Sequence, residues 1–356
     1  MRNFFLAVNI IVASLLAFCI ASFWISAGQM ELLVFAPLGF PYFFLANTLF
    51  AVLWPVCSKE HKKYAFFSLA VLVCALPMAL ATVSWQKNES TTGVKIMTWN
   101  VRNFDLYNWT NNKETRKQMM LVIDSVGADV LCFQEFYSDS GGRFDNIRSL
   151  TKRGYTHYFF HPAVRKGRHS WGVVVFSKYP LCNKQSRLFE NSKNNQVIWC
   201  DVLMPGTDTL HLFNTHLQSI HFDKRDYAVI DSAIHQQAAS EGNLRTLLSK
   251  YKQAALKRAQ QAEWVRAEMD RFTGNRMICG DFNDVPASYV YHTIKSNMQD
   301  AFLRRGRGFG NTYVSAYPLL RIDYILCDKG IQVHSFKKKE LNHSDHYPLI
   351  STFSLR

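Results

Sequence analysis

"ICGDFNDVPAS", residues 278–288, is an apolar run that stops at Gly280 and is followed at once by Asp281, Asn283 and Asp284. Aspartate and asparagine are poor strand formers and good turn formers. At the tip of a buried strand they become carboxylate and amide groups held on a rigid support. Loops at the ends of such supports are where binding and catalytic side chains concentrate. This stretch speaks for a shared site only if other strands end in the same way.

They do. Short apolar runs rich in β-branched and aromatic residues begin at residues 94, 129, 172, 197, 209, 276, 322 and 348, and each reads as a strand. Asn100 follows the first and Glu135 the second. Asn214 and His216 end "TLHLFNTH", Asp281 and Asn283 follow "RMIC", and Asp323 opens "DYILC". Asp345 and His346 form "SDH" just before "PLISTF". One polar residue at a strand end is ordinary turn chemistry. Repetition at nearly every strand is not explained by turns, and it points to a shared site.

Two helical stretches separate some of these strands. "ETRKQMMLVIDSVG", from Glu114, places Met120, Ile123 and Val126 on one face. A longer one, roughly 243–272, places Leu244, Leu247 and Leu248 on one side, is strongly basic elsewhere, and reads as a solvated covering helix. Strands alternating irregularly with helices indicate an α/β fold with two sheets flanked by helices.

The first 86 residues differ. Apolar blocks at about 4–25, 32–56 and 64–83 each approach the ~20 residues needed to cross a hydrocarbon core. A cleaved signal peptide would account for the first block alone. The expected organisation is a membrane segment over 1–86 with about three transmembrane helices, a polar linker "QKNESTTG" ending at Gly93, and one domain over 94–356. Pro37, Pro41 and Pro55 predict that the middle helix is kinked or starts late. "SKEHKK", residues 58–63, is the basic cluster between the spans, and with Arg2 it belongs on the cytoplasmic side. Three spans then place everything after Gln86 outside the cytoplasm; two would reverse it. A multi-pass protein of a bacterial inner membrane suits this pattern.

Of the net charge of +14, the four bases and two acids before Gln86 contribute +2, which leaves +12 on the remainder. A basic balance of that size favours an anionic partner. Five of the eight cysteines lie beyond residue 86, and no C-x-x-C occurs, so neither a complete disulfide framework nor a zinc knuckle is indicated.

"TWN", "QE", "NTHL", "GDFND-P", "IDYI" and "SDH" occur in the order found in the endonuclease/exonuclease/phosphatase superfamily, which the chain resembles over roughly residues 94–356. That superfamily includes deoxyribonuclease I, abasic-site endonucleases, inositol polyphosphate 5-phosphatases and bacterial sphingomyelinases. The resemblance implies a four-layer α/β sandwich of two packed mixed sheets and divalent-metal phosphoester hydrolysis. It says nothing about the N-terminal segment.

Hydrolysis of a phosphoester requires neutralising the phosphate, activating water in line and stabilising the leaving oxygen. Carboxylate and amide oxygens suit Mg²⁺ or Mn²⁺. Glu135, matching the superfamily's "QE" glutamate, is the best metal ligand, supported by Asn100 and Asp345. Asp281 would orient or deprotonate water, with Asn283 holding the phosphate or that water. His346 would contact the phosphate or act as base, its tautomer fixed by Asp323. His216 would bind the phosphate or protonate the leaving group. Asn214 and a basic loop carrying Arg168 and His169 are further phosphate-binding candidates.

Some members of the superfamily pair the "NTHL" histidine with an upstream acid. None occurs in "GRHSWGVVVFSK", so the partner of His216 is left open. The inserted segment 219–243 is expected to shape substrate access. These residues predict a membrane-anchored phosphoesterase, foremost a phosphodiesterase acting on nucleic acid or a phospholipid headgroup, with the lipid bilayer as its other partner and no obligate protein partner evident. A phosphomonoesterase acting on inositol phosphates, or a non-catalytic phosphate-binding scaffold, are the alternatives.

Overall fold

All eight apolar runs form strands, and their residue alternation decides how the sheets stack. The computed structural model describes residues 2–57, 62–90, 92–190, 194–206, 208–220, 241–314 and 319–355. Fourteen strands occur among the described residues: β1 Ser84–Trp85, β2 Val94–Asn100, β3 Val130–Asp139, β4 His157–Lys166, β5 His169–Ser177, β6 Leu181–Leu188, β7 Gln196–Leu203, β8 Thr209–His216, β9 Asn275–Asp281, β10 Gln299–Asp300, β11 Arg307–Gly308, β12 Asp323–Cys327, β13 Gln332–Lys338 and β14 Leu349–Ser354. Two six-stranded sheets result, ordered β13-β14-β2-β3-β5-β4 and β10-β12-β9-β8-β7-β6.

In β2 and β3, Ile96, Val130 and Cys132 face the second sheet, where Leu212, Met277, Cys279 and Ile325 complete one core. The alternate residues Met97, Trp99, Leu131 and Phe133 face outward and bury Met119, Met120 and Ile123 of helix α4, Thr115–Val126 (α1–α3 are the N-terminal helices below). On the outer side of the second sheet Trp199 stacks on Phe213 and meets Trp264 of a long helix, Glu241–Met269. The order is helix, sheet, sheet, helix, as expected. Each fully buried Phe, Ile or Leu side chain in these layers contributes about 1.5–3 kcal/mol.

Three full-length strands are absent from the sequence reading: β4, β6 and β13. All three lie at sheet edges. An edge strand has one open side, so its sequence can stay polar; β6 reads "LCNKQSRL" and is mostly exposed.

The long helix departs from expectation. Leu244 and Leu248 are each 42 % exposed. Its buried face is instead Ala254, Ala255, Ala259, Ala262 and Val265, small residues that allow close approach. Arg258 is 1 % exposed, with its guanidinium donating to the Gln218 carbonyl at 3.0 Å and lying over Tyr251. That cation is a packed group rather than a solvated one.

The chain divides into two compact units. The first comprises Met1–Ala81, Gln218–Gln261 and Ala287–His292; the second comprises Thr82–Leu217, Ala262–Pro286 and Thr293–Arg356. Within the first lie α1, Arg2–Trp24; α2, Ala36–Cys57; and, but for its last residue, α3, Lys62–Thr82. The three stretches Asn3–Trp24, Glu31–Val56 and Lys62–Thr82 are long and apolar enough to cross a membrane. The middle one opens with a 3-10 turn, Glu31–Phe35, and Pro37 falls in the first turn of α2, where a missing N–H is harmless. Asn9 donates to Ser68 at 2.9 Å and accepts from the Trp54 indole at 2.9 Å, so polar groups join the helices in pairs, as apolar surroundings demand. Phe35 stacks on Tyr251, and Lys252 pairs with Glu31. Ser58–His61 of the basic loop and residues 221–240 of the insertion lie outside the described residues.

Candidate active site

Each sheet contains one parallel pair, and parallel neighbours end at the same edge. β2 and β3 align Asn100 with Gln134, so Asn100 and Glu135 emerge together. β8 and β9 align His216 with Asp281, and antiparallel β12 sets Asp323 opposite Asp281.

Glu135 sits at a β-bulge between Phe133 and Phe136, with φ at 47°. In a regular strand, residues three apart point to opposite faces. Here both phenylalanines enter the same core, their rings parallel at 6.3 Å. The extra residue is turned out at the sheet edge, so the burial of two rings aims Glu135. A left-handed conformation outside glycine costs about 1–2 kcal/mol, which that burial offsets.

The chain after Asn100 is also unusual. Arg102, Asn103, Phe104 and Asp105 all have φ between 41° and 57°. This left-handed turn is anchored by Phe104, which is fully buried against Phe133 and Phe136. The Arg102 N–H donates to Asn100 Oδ1 at 3.1 Å and so fixes the amide. Asn100 Nδ2 then donates to Glu135 Oε1 at 3.3 Å and to Asp281 Oδ2 at 3.1 Å. One asparagine thereby joins the two sheets.

Asp281 receives the Asn283 N–H on Oδ1 at 2.8 Å. Its Oδ2 lies 3.7 Å from both His216 Nε2 and His346 Nε2. His346 Nδ1 meets Asp323 Oδ2 at 2.9 Å. The opposite ring nitrogen is thus the one that faces Asp281. His216 Nε2 also lies 3.8 Å from Glu135 Oε1, so among the described residues Glu135 and Asp281 are acids near this histidine, neither of them in β5. Asp345 pairs with Arg102 at 3.3 Å, and Ser344 pins the Asn100 carbonyl at 2.8 Å.

Burial pushes the Asp281 carboxyl up to about 6, with Asp323 adding to the rise and both histidines and Asn100 opposing it. Glu135 is raised by burial and then by the charge of Asp345. Burial alone would lower His346, but Asp323 and Asp281 outweigh it and hold the imidazole well above its ordinary value. The site concentrates negative charge that its own cations do not cancel. Asp323 Oδ1 is buried without a hydrogen-bond partner. Asp281, Asp323 and His346 also lie close enough for one metal ion, all three buried. Hard oxygen donors in surplus negative charge suit a divalent cation such as Mg²⁺ or Mn²⁺.

Of the residues singled out from sequence, Asn100, Glu135, His216, Asp281, Asn283, Asp323, Asp345 and His346 come together here. Asn214 does not join them. It is fully buried between the sheets, donating to the carbonyls of Phe133 and Val174 and accepting from Gln134 Nε2 at 2.6 Å. Arg168 pairs with Asp139 at 2.8 Å, and His169 bonds the Tyr137 hydroxyl at 2.6 Å, so both belong to the far end of β3. Three contributors escaped the sequence reading. Arg102 braces Asp345 and lies over Trp109. Thr312 accepts the N–H groups of Ile322 and Asp323, and the Tyr313 ring lies 5.0 Å from that of His346. Only Arg102, a base two residues after a polar strand tip, carried a signal.

Residues 97–346 match the model of the Endonuclease/Exonuclease/phosphatase family, and residues 2–82 match that of a domain of unknown function. No curated protein matches the chain. Solved structures share the fold. The human Nocturnin catalytic domain aligns at TM-score 0.53 and 19% identity, over 75% of this chain and 96% of that one. An endonuclease/exonuclease/phosphatase from Beutenbergia cavernae aligns at 0.51 and 16%, over 74% and 71%. A 3'-5' exonuclease from Neisseria meningitidis aligns at 0.50 and 18%, over 73% and 100%.

Proposed function

The chain belongs to the Endonuclease/Exonuclease/phosphatase family and is a metal-dependent phosphoric ester hydrolase; on that premise we propose a membrane-anchored, Mg²⁺-dependent phosphodiesterase acting on nucleic acid or a phospholipid headgroup. The observation that supports the reading best is the Asp323–His346–Asp281 series lying beside Asn100 and Glu135.

Glu135, with Asn100 and Asp345 in support, would hold the Mg²⁺, which when bound neutralises phosphate charge. Asp281 orients the attacking water and takes its proton as the water oxygen bonds to phosphorus. Asn283 fixes the Asp281 carboxylate through its N–H, and its side chain, whose Nδ2 also donates to the Leu217 carbonyl at 3.0 Å, would hold that water. Asp323 keeps His346 cationic, and Nε2 then donates to a phosphate oxygen. As the phosphorus–oxygen bond to the leaving group breaks, His216 supplies that oxygen with a proton. A carboxylate near 6 and a cationic imidazole make a matched base and electrophile at neutral pH.

The apolar helices of the first unit would anchor the chain in a bacterial inner membrane, with the hydrolytic unit outside the cytoplasm. The test is hydrolysis by the full chain in detergent, with Mg²⁺ or EDTA, of DNA, RNA, sphingomyelin and inositol phosphates. Asp281→Ala should lower the rate about 10³-fold and His346→Ala about 10²-fold. Activity indifferent to EDTA and to both substitutions would defeat the assignment. A reporter fused after Arg356 should be active only outside the cytoplasm.

A further inference from the structure

A charged concavity of the second unit lies beyond the site just described. It is a groove of about 680 Å³ between α5, Asn146–Thr151, and the edge strand β4. Four cations line it: Arg148 and Lys152 from the helix side, Arg165 from β4 and Arg168 from the turn before β5. The one acid in the lining, Asp145, accepts the N–H groups of Arg148 and Gly141 and so caps the helix. Arg168 pairs with Asp139, yet its side chain is 60 % exposed. Among the described residues no carboxylate pairs with the side chains of Arg148, Lys152 or Arg165. Three of the four cations are therefore gathered in a concavity without a paired carboxylate, where their field is focused.

Two aromatic side chains, Tyr158 and Phe160, line the groove. Tyr158 and Phe160 alternate along β4, and Tyr158 is 39 % exposed. A bulge between Pro162 and Val164 shifts the phase of the strand. That shift sets Arg165 on the same face as Tyr158 and Phe160, where strict alternation would set it on the other. The groove reaches β3 at Ser138, three residues beyond Glu135, a rise of about 10 Å. Cations that track a backbone together with exposed aromatic faces are the means by which proteins hold single strands of nucleic acid. A bilayer surface would require a protruding basic face, whereas this one is concave.

Resting on the phosphodiesterase reading above, we propose that this groove binds the flanking phosphates and bases of a single-stranded nucleic acid whose scissile phosphate lies at Asp281 and His346. The groove makes strand length, rather than base identity, the basis of substrate choice.

The test is fluorescence anisotropy of a labelled 12-nucleotide strand on the full-length protein in detergent with EDTA, which reads binding without turnover. The charge-reversal variant Arg148→Glu/Lys152→Glu/Arg165→Glu should bind at least tenfold more weakly. Its log Kd against log salt should flatten by about two units, as expected for three lost phosphate contacts. Arg148→Lys/Arg165→Lys should retain binding, and all variants should cleave bis-p-nitrophenyl phosphate with Mg²⁺ as the wild type does. Unchanged oligonucleotide affinity in the charge-reversal variant would overturn the proposal. So would loss of small-diester cleavage in step with binding. Unchanged oligonucleotide binding with impaired phospholipid cleavage in mixed micelles would assign the groove to lipid instead. Failure of every diester assay would sink the hydrolase reading and leave the anisotropy result to stand separately.

Discussion

The two sheets of the second unit are built alike but deliver different residues, at different depths, to the site. Read from β13 to β4 and from β10 to β6, both run antiparallel, antiparallel, parallel, antiparallel, antiparallel. In each the parallel pair ends at the site. The first sheet presents Glu135 on a bulge and Asp345 beside Arg102, side chains 26–32 % exposed. The second presents His216, Asp281 and Asp323 with side chains 1–3 % exposed. His346 precedes β14 of the first sheet and bonds Asp323 of the second. One backbone plan thus gives a more open half and a dry half. What differs is which residues cap the strands and how deeply they lie.

If the dry half handles protons, Asp323→Asn should have the largest effect among changes that keep the shape. It removes the charge that holds His346 protonated, and the rate should fall about 100-fold at neutral pH. The His346 limb of the pH–rate profile should move to lower pH. A uniform rate loss with an unmoved profile would show that Asp323 only packs.

If the open half accepts the cation, Glu135→Gln should act on metal rather than on protons. The Mg²⁺ concentration for half-maximal rate should rise about 10–100-fold, with the rate largely restored at saturation. An unchanged metal requirement would locate the ion among Asp281, Asp323 and His346 and invert the comparison.

Much of this division is legible in the sequence, because buried strands must be apolar and a polar residue at their tips stands out. The errors follow from the same logic. Asn214 and His216 are two apart in β8 and share the inner face, but Asn214 sits one pleat deeper, where the amide joins the sheets rather than meeting solvent. Edge strands carry short or interrupted apolar runs, as in "LCNKQSRL" of β6, that are hard to detect. The left-handed turn at Arg102–Asp105 is imposed by the burial of Phe104, a tertiary cause that local propensity does not record. Likewise Arg258 reads as a solvated base until Gln218 is seen beneath it.

Asn214 also allows the tie between the halves to be cut without touching either. Asn214→Ala would leave the Phe133 and Val174 carbonyls and the Gln134 amide short of a partner. The expected destabilisation is about 1–3 kcal/mol, read from chemical unfolding, with KM and metal requirement unchanged. A changed metal requirement would mean that the sheets shift against each other and that the site depends on this amide for alignment.

The most pH-dependent effect concerns what burial of Asp281 does to stability. Its folded value near 6 lies above the ordinary 3.8, so the native state holds the proton more tightly than the unfolded chain. Below about pH 3.8 both states are protonated, and the group has its full stabilising share. As pH rises through 6 that share is lost, because the native state must then ionise a carboxylate that is 1 % exposed. Asp281→Asn keeps the shape and removes the charge. In EDTA it should therefore be more stable than the wild type at pH 8 by up to about 3 kcal/mol, the opposing pull of the histidines being already contained in the value near 6. Near pH 4 the gain should vanish. Mg²⁺ should raise the unfolding midpoint of the wild type more than that of the variant, since the cation offsets a charge only the wild type carries. Equal stability of the two proteins at pH 8 would mean that the second sheet's half is wetter than its burial indicates, and the contrast between the halves would shrink to one of residue identity.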